Sequence, residues 1–181
     1  MHQAEEDLLV LAAQDGDQKA FATIFKRYHK PLLSYAIKFC SDPELAKDAV
    51  QETWIKLAKN IRKLDDPRAL RSWLYKTVNW RLIDLVRSSN RHQVNTEELD
   101  ENHHGESHHL SVDEGSELLT AIAQLATVEK QMIHMFYLDD LKVNEIAIVL
   151  GIPSGTVKSR LNRARKVLKQ KLSNSSLGEI K

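Results

Sequence analysis

The fold of this chain is decided by residues 141–161, which read LKVNEIAIVLGIPSGTVKSRL. An apolar helical segment, a short turn beginning at Gly151 and a second helical segment follow one another, which is the pattern of a helix-turn-helix. In the second segment, a step of about 100° per residue places a set of apolar side chains on one face. These are Val157, Leu161, Ala164, Leu168 and Leu172. The pattern therefore predicts a buried stripe on a helix whose opposite face is available to the major groove of DNA.

The face opposite this stripe carries one sign of charge. Residues 156–171 hold seven Lys or Arg and no Asp or Glu, whereas an ordinary solvated helix usually mixes both signs. The candidate DNA contacts are Thr156, Lys158, Ser159, Arg160, Asn162, Arg163 and Lys166. Arg163 is predicted to pair with a guanine, Ser159 and Asn162 to bond base edges, and the other cations to contact phosphates. A solvated face without a ligand is the alternative.

The net charge of +1 hides a strong segregation of charge along the chain. Residues 1–91 carry 16 basic and 12 acidic groups, whereas residues 92–117 carry eight acids and no Lys or Arg. Residues 118–181 carry 10 basic and five acidic groups. Two basic regions therefore flank an acidic one, which favours a polyanionic partner for the basic regions.

Composition and motifs disfavour several classes of protein. The single cysteine, Cys40, excludes an internal disulfide framework and is predicted to be a buried thiol. The acidic N-terminal residues do not resemble a targeting signal, and no apolar run approaches the roughly 18 residues of a membrane span. No nucleophile–base pair, phosphate-binding loop or metal-ligand spacing on an ordered element supports catalysis. We expect a cytoplasmic protein with no membrane insertion, no enzymatic activity and no cofactor.

Helical periodicity extends over nearly the whole chain, which predicts an all-α protein. Asp42-Pro43 and Asp66-Pro67 are signals for the starts of two helices, and Pro31 should kink or split an earlier one. Thr127 is predicted to cap a helix that precedes the helix-turn-helix. We expect two small helical domains joined by a flexible acidic linker. The boundaries are 1–91 for the first domain, 92–116 for the linker, 117–175 for the second domain and 176–181 for a tail.

The predicted linker is unusually rich in histidine. Its two histidine pairs are His103-His104 and His108-His109, with Glu106 between them. Imidazoles and a carboxylate at this spacing are weak candidates for a divalent metal site. The favoured interpretation is a flexible polar segment without metal, because its composition cannot offset the entropy of ordering it.

Two further helical patterns suggest binding surfaces in the first domain. Asp48, Gln51, Glu52 and Ile55 recur at steps of three and four, so they form a polar ridge with one apolar residue. The fourth helix carries an interleaved stripe of Trp73, Lys76, Trp80, Asp84, Arg87 and Arg91. Such a stripe suits single-stranded DNA, because bases stack on aromatic rings while cations contact phosphates. A solvated ridge, a core position for Trp73 and simple helix C-terminal cations are the alternatives.

Three segments in this order resemble bacterial RNA polymerase sigma factors. Residues 48–57 (DAVQETWIKL) resemble the polymerase-docking helix and residues 72–87 (SWLYKTVNWRLIDLVR) the promoter-melting helix. Residues 155–165 (GTVKSRLNRAR) are similar to the recognition helix. Two domains joined by a linker match the extracytoplasmic-function (ECF) group, which keeps only sigma domains two and four.

The resemblance implies site residues for three contacts. Core polymerase would be bound by Asp48, Gln51, Glu52, Trp54 and Ile55, although Trp54 is the residue more expected in the core. The promoter -10 element would be bound by Arg62, Lys63, Lys76, Asn79, Trp80, Arg87 and Arg91. In that site the loop of residues 62–66 would receive a base swung out of the stack, and Asn79 would contact its edge. The -35 element would be bound by the candidate DNA contacts of the recognition helix.

The resemblance also implies the partners of the chain. They are core RNA polymerase, promoter DNA and a membrane-associated anti-sigma factor, with a monomer expected when no partner is bound. A helix-turn-helix regulator that acts without core polymerase is the alternative. The sequence departs from the family at Lys142, where a hydroxyl cap is lost, and at Pro153, which is expected at the first position of the recognition helix.

Overall fold

The computed structural model describes residues 3–40, 42–93, 121–122 and 124–178, with side chains except at 86–93 and 171–178. The chain divides into two compact units, residues 1–101 and 102–181. Every regular element among the described residues is helical, which confirms the all-α prediction of two helical domains. Apart from its first two residues, the predicted linker lies outside the described residues, as do the linker histidines.

The described residues of the first unit form four α-helices. They are α1 (Gln3–Gln14), α2 (Gln18–Phe39), α3 (Pro43–Asn60) and α4 (Leu70–Gln93). Two 3-10 turns, Ile61–Lys63 and Pro67–Ala69, connect α3 to α4. Asp42 caps α3 by accepting the Glu44 amide at 2.8 Å, as its sequence signal predicts. Asp66 accepts the Arg68 amide at 3.0 Å, but Asp66-Pro67 starts a 3-10 turn that leads into α4 rather than α4 itself.

Pro31 does not split α2, which is assigned as one helix from Gln18 to Phe39. A proline inside a helix removes one backbone hydrogen bond and crowds the preceding turn. The turn that follows Pro31 is anchored, because Leu32, Tyr35 and Ala36 are completely buried against the rest of the unit. Burial of this face outweighs the local cost, so the helix is not split at Pro31, and the alternative of a kink stays a prediction.

The core of the first unit includes one face of α4. Leu70, Leu74 and Val78 form a fully buried face of α4, while Leu85 at the end of this face is only half-buried. Cys40 is buried at the end of α2, and this burial raises the pKa of its thiol. The thiol is therefore a structural group, and the prediction of a buried cysteine is confirmed.

The corner between α1 and α2 is closed by a Schellman motif. Gly16 has φ +101°, the Asp17 amide donates to the Ala12 carbonyl at 3.0 Å, and the Gly16 amide donates to the Ala13 carbonyl at 3.2 Å. The carboxylate of Asp17 then accepts the Lys19 and Ala20 amides at 2.7 and 3.2 Å. One helix ends and the next begins within three residues, so the last residue of α1 has a well-defined position.

The described residues 124–178 of the second unit form three α-helices. They are α5 (Thr127–Ile133), α6 (Val143–Leu150) and α7 (Ser154–Gly178), and a π-helical turn, His134–Leu138, continues α5. Thr127 is the first residue of α5 rather than its cap, because Ala126 occupies the cap position and no side chain satisfies the free amides there. None of the helices in the described part of the chain is long and apolar enough to cross a membrane.

The helix-turn-helix is formed by α6, the turn at Gly151 and α7. Gly151 has φ +65°, in the left-handed region that favours glycine, and ends α6. The predicted stripe of α7 is buried at Val157, Leu161, Ala164 and Leu168, which is confirmed, whereas the side chain of Leu172 lies outside the described residues.

Two caps in the helix-turn-helix differ from expectation. The Pro153 carbonyl accepts the Thr156 and Val157 amides at 2.9 and 3.1 Å, so Pro153 precedes α7 as its cap residue and is not its first helical residue. Lys142 supplies no hydroxyl to cap α6, but Glu145 Oε2 accepts the Lys142 amide at 2.7 Å. Of the two hydrogen bonds of a capping box, the one from the Lys142 amide to the Glu145 carboxylate is therefore kept. The expected loss of the cap is only partial.

Candidate nucleic-acid and protein interfaces

The polar ridge predicted on α3 lies on the surface. Asp48 and Gln51 are exposed, Glu52 is half-buried and the Ile55 side chain is 46% exposed. The opposite face of α3 is buried in the first unit. We call Asp48, Gln51, Glu52 and Ile55 the docking ridge. A single exposed isoleucine is ordinary on a protein surface, so the docking ridge remains a prediction that rests on the resemblance.

Trp54 lies in the core and not on the docking ridge. Its side chain is 7% exposed and its ring lies 4.8 Å from that of Phe25, centroid to centroid. A tryptophan in this position stabilises the packing of α2 against α3, which agrees with the core position expected for Trp54. Its burial gives no support to a direct contact with core polymerase, which stays a prediction.

Glu52 forms an ion pair with Arg81 of α4. Arg81 Nη2 donates to Glu52 Oε1 at 2.8 Å, and Arg81 Nε lies 2.7 Å from Glu52 Oε2. The third nitrogen, Nη1, donates to Asp84 Oδ2 at 2.8 Å. The Glu52 carboxylate, followed by Asp84, raises the pKa of the Arg81 guanidinium. Sequence reasoning missed Arg81, because 29 residues separate it from Glu52.

Of the described side chains in the stripe predicted on α4, Lys76, Trp80 and Asp84 are exposed and Trp73 is half-buried. Trp80 is 69% exposed, and Lys76 is exposed one turn before it. We call Lys76 and Trp80 the strand-opening face. An indole held so far into solvent costs stability without packing in return, which is characteristic of a ring that binds a ligand. The side chains of Arg87 and Arg91 lie outside the described part of α4.

Asn79 does not belong to this face. It is 6% exposed, and its Oδ1 accepts the hydroxyl of Tyr35 at 3.1 Å. The amide satisfies a buried phenol between α2 and α4, as buried polar groups require. This buried position gives no support to the contact of Asn79 with the edge of a flipped base, which stays a prediction.

The loop predicted to receive a base follows α3. Arg62 and Lys63 are exposed, as expected of residues that bind DNA. The loop is attached to the end of α1: Gln14 Nε2 donates to the carbonyls of Ile61 at 2.9 Å and Leu64 at 2.8 Å. In return, Arg62 Nε donates to the Gln14 carbonyl at 3.0 Å. Gln14 was not identified from the sequence.

The recognition face of α7 is presented to solvent. The residues on it that are exposed are Lys158, Ser159, Arg160, Asn162, Arg163 and Lys166, whereas Thr156 is half-buried. Ser159 Oγ donates to the Thr156 carbonyl at 3.0 Å. Arg163 lies 3.8 Å from Glu129 Oε1 with its side chain 78% exposed, so the pair is loose and the guanidinium remains accessible.

No candidate metal centre appears among the described residues. Within residues 3–40, 42–93, 121–122 and 124–178, no three His, Cys, Asp or Glu side chains are grouped so as to hold an ion. The linker histidines are not among these residues, so the weak metal-binding hypothesis stays untested.

Two family models match the chain, in the order expected of the resemblance. They are Sigma-70 region 2 over residues 24–92 and Sigma-70, region 4 over residues 115–168. The ECF RNA polymerase sigma factor SigW of Bacillus subtilis is 28% identical over 170 residues, which cover 87% of this chain and 91% of that protein. The ECF RNA polymerase sigma-E factor of Escherichia coli K12 is 30% identical over 183 residues, covering 94% and 95%.

A solved structure shares the fold. The sigma factor RpoE in complex with the anti-sigma factor NepR, from Bartonella quintana, has a TM-score of 0.65 and 21% identity, and the match covers 86% of this chain and 98% of that chain. Together with the family models and relatives, the helical units define a class: transcription-initiation factors built from sigma regions 2 and 4. The chain belongs to the ECF group of RNA polymerase sigma factors.

Proposed function

We propose that this sigma factor acts through three separate surfaces. The docking ridge on α3 binds core polymerase, and the strand-opening face with the loop of residues 62–66 binds the -10 element. The recognition face of α7 binds the -35 element. The observation that supports this most strongly is the 69% exposed Trp80, because it is a stacking ring beside a lysine on the helix that resembles the promoter-melting helix.

The -35 contact follows from the charge and accessibility of α7. Its exposed cations lie opposite a fully buried stripe, so the helix is held by apolar packing while its charged face binds phosphates. Arg163 is the residue that pairs with guanine, because its fork of donors matches the O6 and N7 acceptors of that base.

We further propose that an anti-sigma factor covers the docking ridge when the protein is inactive. Bound anti-sigma factor in the RpoE complex from Bartonella quintana supports such a partner. Exposed Ile55 and Trp80 are apolar surface that a protein partner would bury. We propose, from membership of the ECF group, that the anti-sigma factor is membrane-associated and that the sigma factor itself is a cytoplasmic, non-enzymatic monomer until it binds a partner.

Capture of core polymerase followed by run-off transcription tests the main proposal. The purified chain should bind core polymerase and direct initiation from defined sites, whereas Ile55→Glu should lose capture. Ile37→Glu is the matched control, because Ile37 is a similarly exposed isoleucine on a different helix, α2. Equal capture by both variants would exclude the docking ridge. Tight, specific operator binding without polymerase would instead favour the helix-turn-helix regulator.

The Glu52–Arg81 pair gives a second prediction about the docking ridge. If Arg81 orients Glu52 for polymerase, Glu52→Gln and Arg81→Gln should each weaken core binding, and the double variant should be no weaker than Glu52→Gln. The expected coupling is about 0.5–3 kcal/mol, as found for residues in direct contact. Core affinity would be measured by fluorescence titration.

Asp84→Asn is the control for this cycle. It removes the other carboxylate bonded to Arg81 and leaves Glu52 in place, so core affinity should change little. A further loss on adding Arg81→Gln to Glu52→Gln would show that Arg81 acts independently of Glu52.

A further inference from the structure

Few contacts within the loop that follows α3 stabilise its conformation. Its backbone carries a 3-10 turn at Ile61–Lys63, in which the Leu64 amide donates to the Ile61 carbonyl at 3.1 Å. Arg62 and Lys63 are exposed and make no packing contribution to the core. The conformation of the loop therefore depends on contacts from outside it.

The side chain of Ile61 is buried and anchors the start of the loop, and Gln14 supplies hydrogen bonds to the loop from the end of α1. One amide nitrogen, Nε2, donates to two loop carbonyls, Ile61 at 2.9 Å and Leu64 at 2.8 Å. These are the two ends of the 3-10 turn, so the side chain spans the turn and fixes both of its ends. The Gln14 side chain is itself half-buried, which makes these bonds stronger than they would be in water.

The backbone of Gln14 completes the connection. As the last residue of α1, Gln14 has a carbonyl with no amide partner in its own helix. Arg62 Nε donates to this carbonyl at 3.0 Å. The bond sets the direction of the Arg62 side chain from its Nε outward. The Schellman motif at Gly16 in turn fixes where Gln14 stands.

We propose that Gln14 is a positioning residue for promoter recognition, whose amide holds the loop of residues 61–66 in the conformation that binds the -10 element. The inference rests on the proposed binding of that element by the loop. Gln14 itself need not touch DNA. Its effect is on sequence preference, because a misplaced loop presents Arg62 and the base-receiving backbone at the wrong distance from the strand.

The test measures base preference, which a purely structural role would not change. Holoenzyme is reconstituted with core polymerase and transcribes a promoter library randomised over the -10 region, with the -35 region set to the sequence that the wild type selects. Sequencing of the transcripts gives the enrichment of each base. Gln14→Glu keeps the size of the side chain and replaces its donors by acceptors that repel both carbonyls.

Gln14→Glu is expected to reduce the enrichment of the preferred base at one or two -10 positions by about tenfold. The neutral variant Gln14→Met should give a smaller loss at the same positions. Gln18→Glu makes the same chemical change on an exposed side chain at the start of α2 and should leave the profile unchanged. Core affinity and the melting temperature verify that each variant is folded.

Arg62→Lys approaches the same contact from the loop. It keeps the positive charge and loses the Nε donor to the Gln14 carbonyl, so it should shift the same positions even if the Gln14 variants fold poorly. An unchanged -10 profile in the folded Gln14 variants and in Arg62→Lys would overturn the proposal. The double variant Arg62→Ala, Lys63→Ala distinguishes failure of the proposed DNA binding by the loop from failure of the positioning role of Gln14. A wild-type -10 profile from this variant would refute DNA binding by the loop itself.

Discussion

Replacement of Trp80 by alanine is expected to lower open-complex formation by about one to two orders of magnitude. A base stacked on an aromatic side chain contributes about 1–3 kcal/mol, and the exposed indole is the ring best placed for such stacking. Thermal unfolding should stay unchanged, because the side chain makes little contact with the core. Permanganate footprinting of a promoter bound by the reconstituted holoenzyme would measure the opening, and a heparin challenge would count the stable complexes.

Two tryptophan variants serve as controls for this result. Trp80→Phe keeps a ring and should retain most of the opening. Trp54→Ala removes the buried ring and should destabilise the first unit by about 3–5 kcal/mol, so it would fail in every assay together with folding. Normal strand opening by folded Trp80→Ala would rule out the strand-opening face.

Replacing Arg163 by alanine is expected to change base preference in the -35 element, whereas replacing Lys166 by alanine is expected to weaken binding to every sequence. Arg163→Ala should cost about 1–3 kcal/mol at one base pair of the -35 element and relax the preference there. Lys166→Ala should weaken all sequences alike and lower the salt-dependence slope by about one. Both side chains are exposed, so neither change should affect folding.

Binding of the holoenzyme to duplexes with single-base changes in the -35 element, over a range of salt concentrations, separates these two effects. Each variant is the control for the other, because both remove one positive charge from the same face of α7. A uniform loss from Arg163→Ala, with every base preference intact, would show that this residue contacts phosphate and that another side chain specifies the base.

Features that depend on local chemistry were mostly predictable from the sequence. The stripe from Val157 to Leu168 and the Asp42-Pro43 start depend on neighbours within a few residues, so spacing alone identified them. The burial of Trp54 was also present in the pattern, because Ala46, Val50 and Leu57 lie at helical spacings from it on the core side. The resemblance to sigma factors placed Trp54 among the contacts of core polymerase, but its ring packs against Phe25 in the core.

The features that were missed depend on pairs of residues far apart in the chain. The sequence marked Asn79 as a base-reading amide, but its oxygen accepts the hydroxyl of Tyr35, which is 44 residues away. Gln14 and Ile61 are 47 residues apart, and no local pattern in either segment predicts the hydrogen bond between them. The course of α2 through Pro31 likewise depends on tertiary burial, which outweighs local propensity.

The corner at Gly16 has a consequence for anyone who works with fragments of such proteins. The recognisable region 2 begins at residue 24, beyond the corner and the residues that precede it. A shortened protein cut at that boundary would keep every hallmark by which the family is recognised, yet the loop carbonyls would be left to water. Because the cut would also remove the buried Val10, Ala13 and Ala20, such a fragment would lose core packing of the first unit together with the support of the loop.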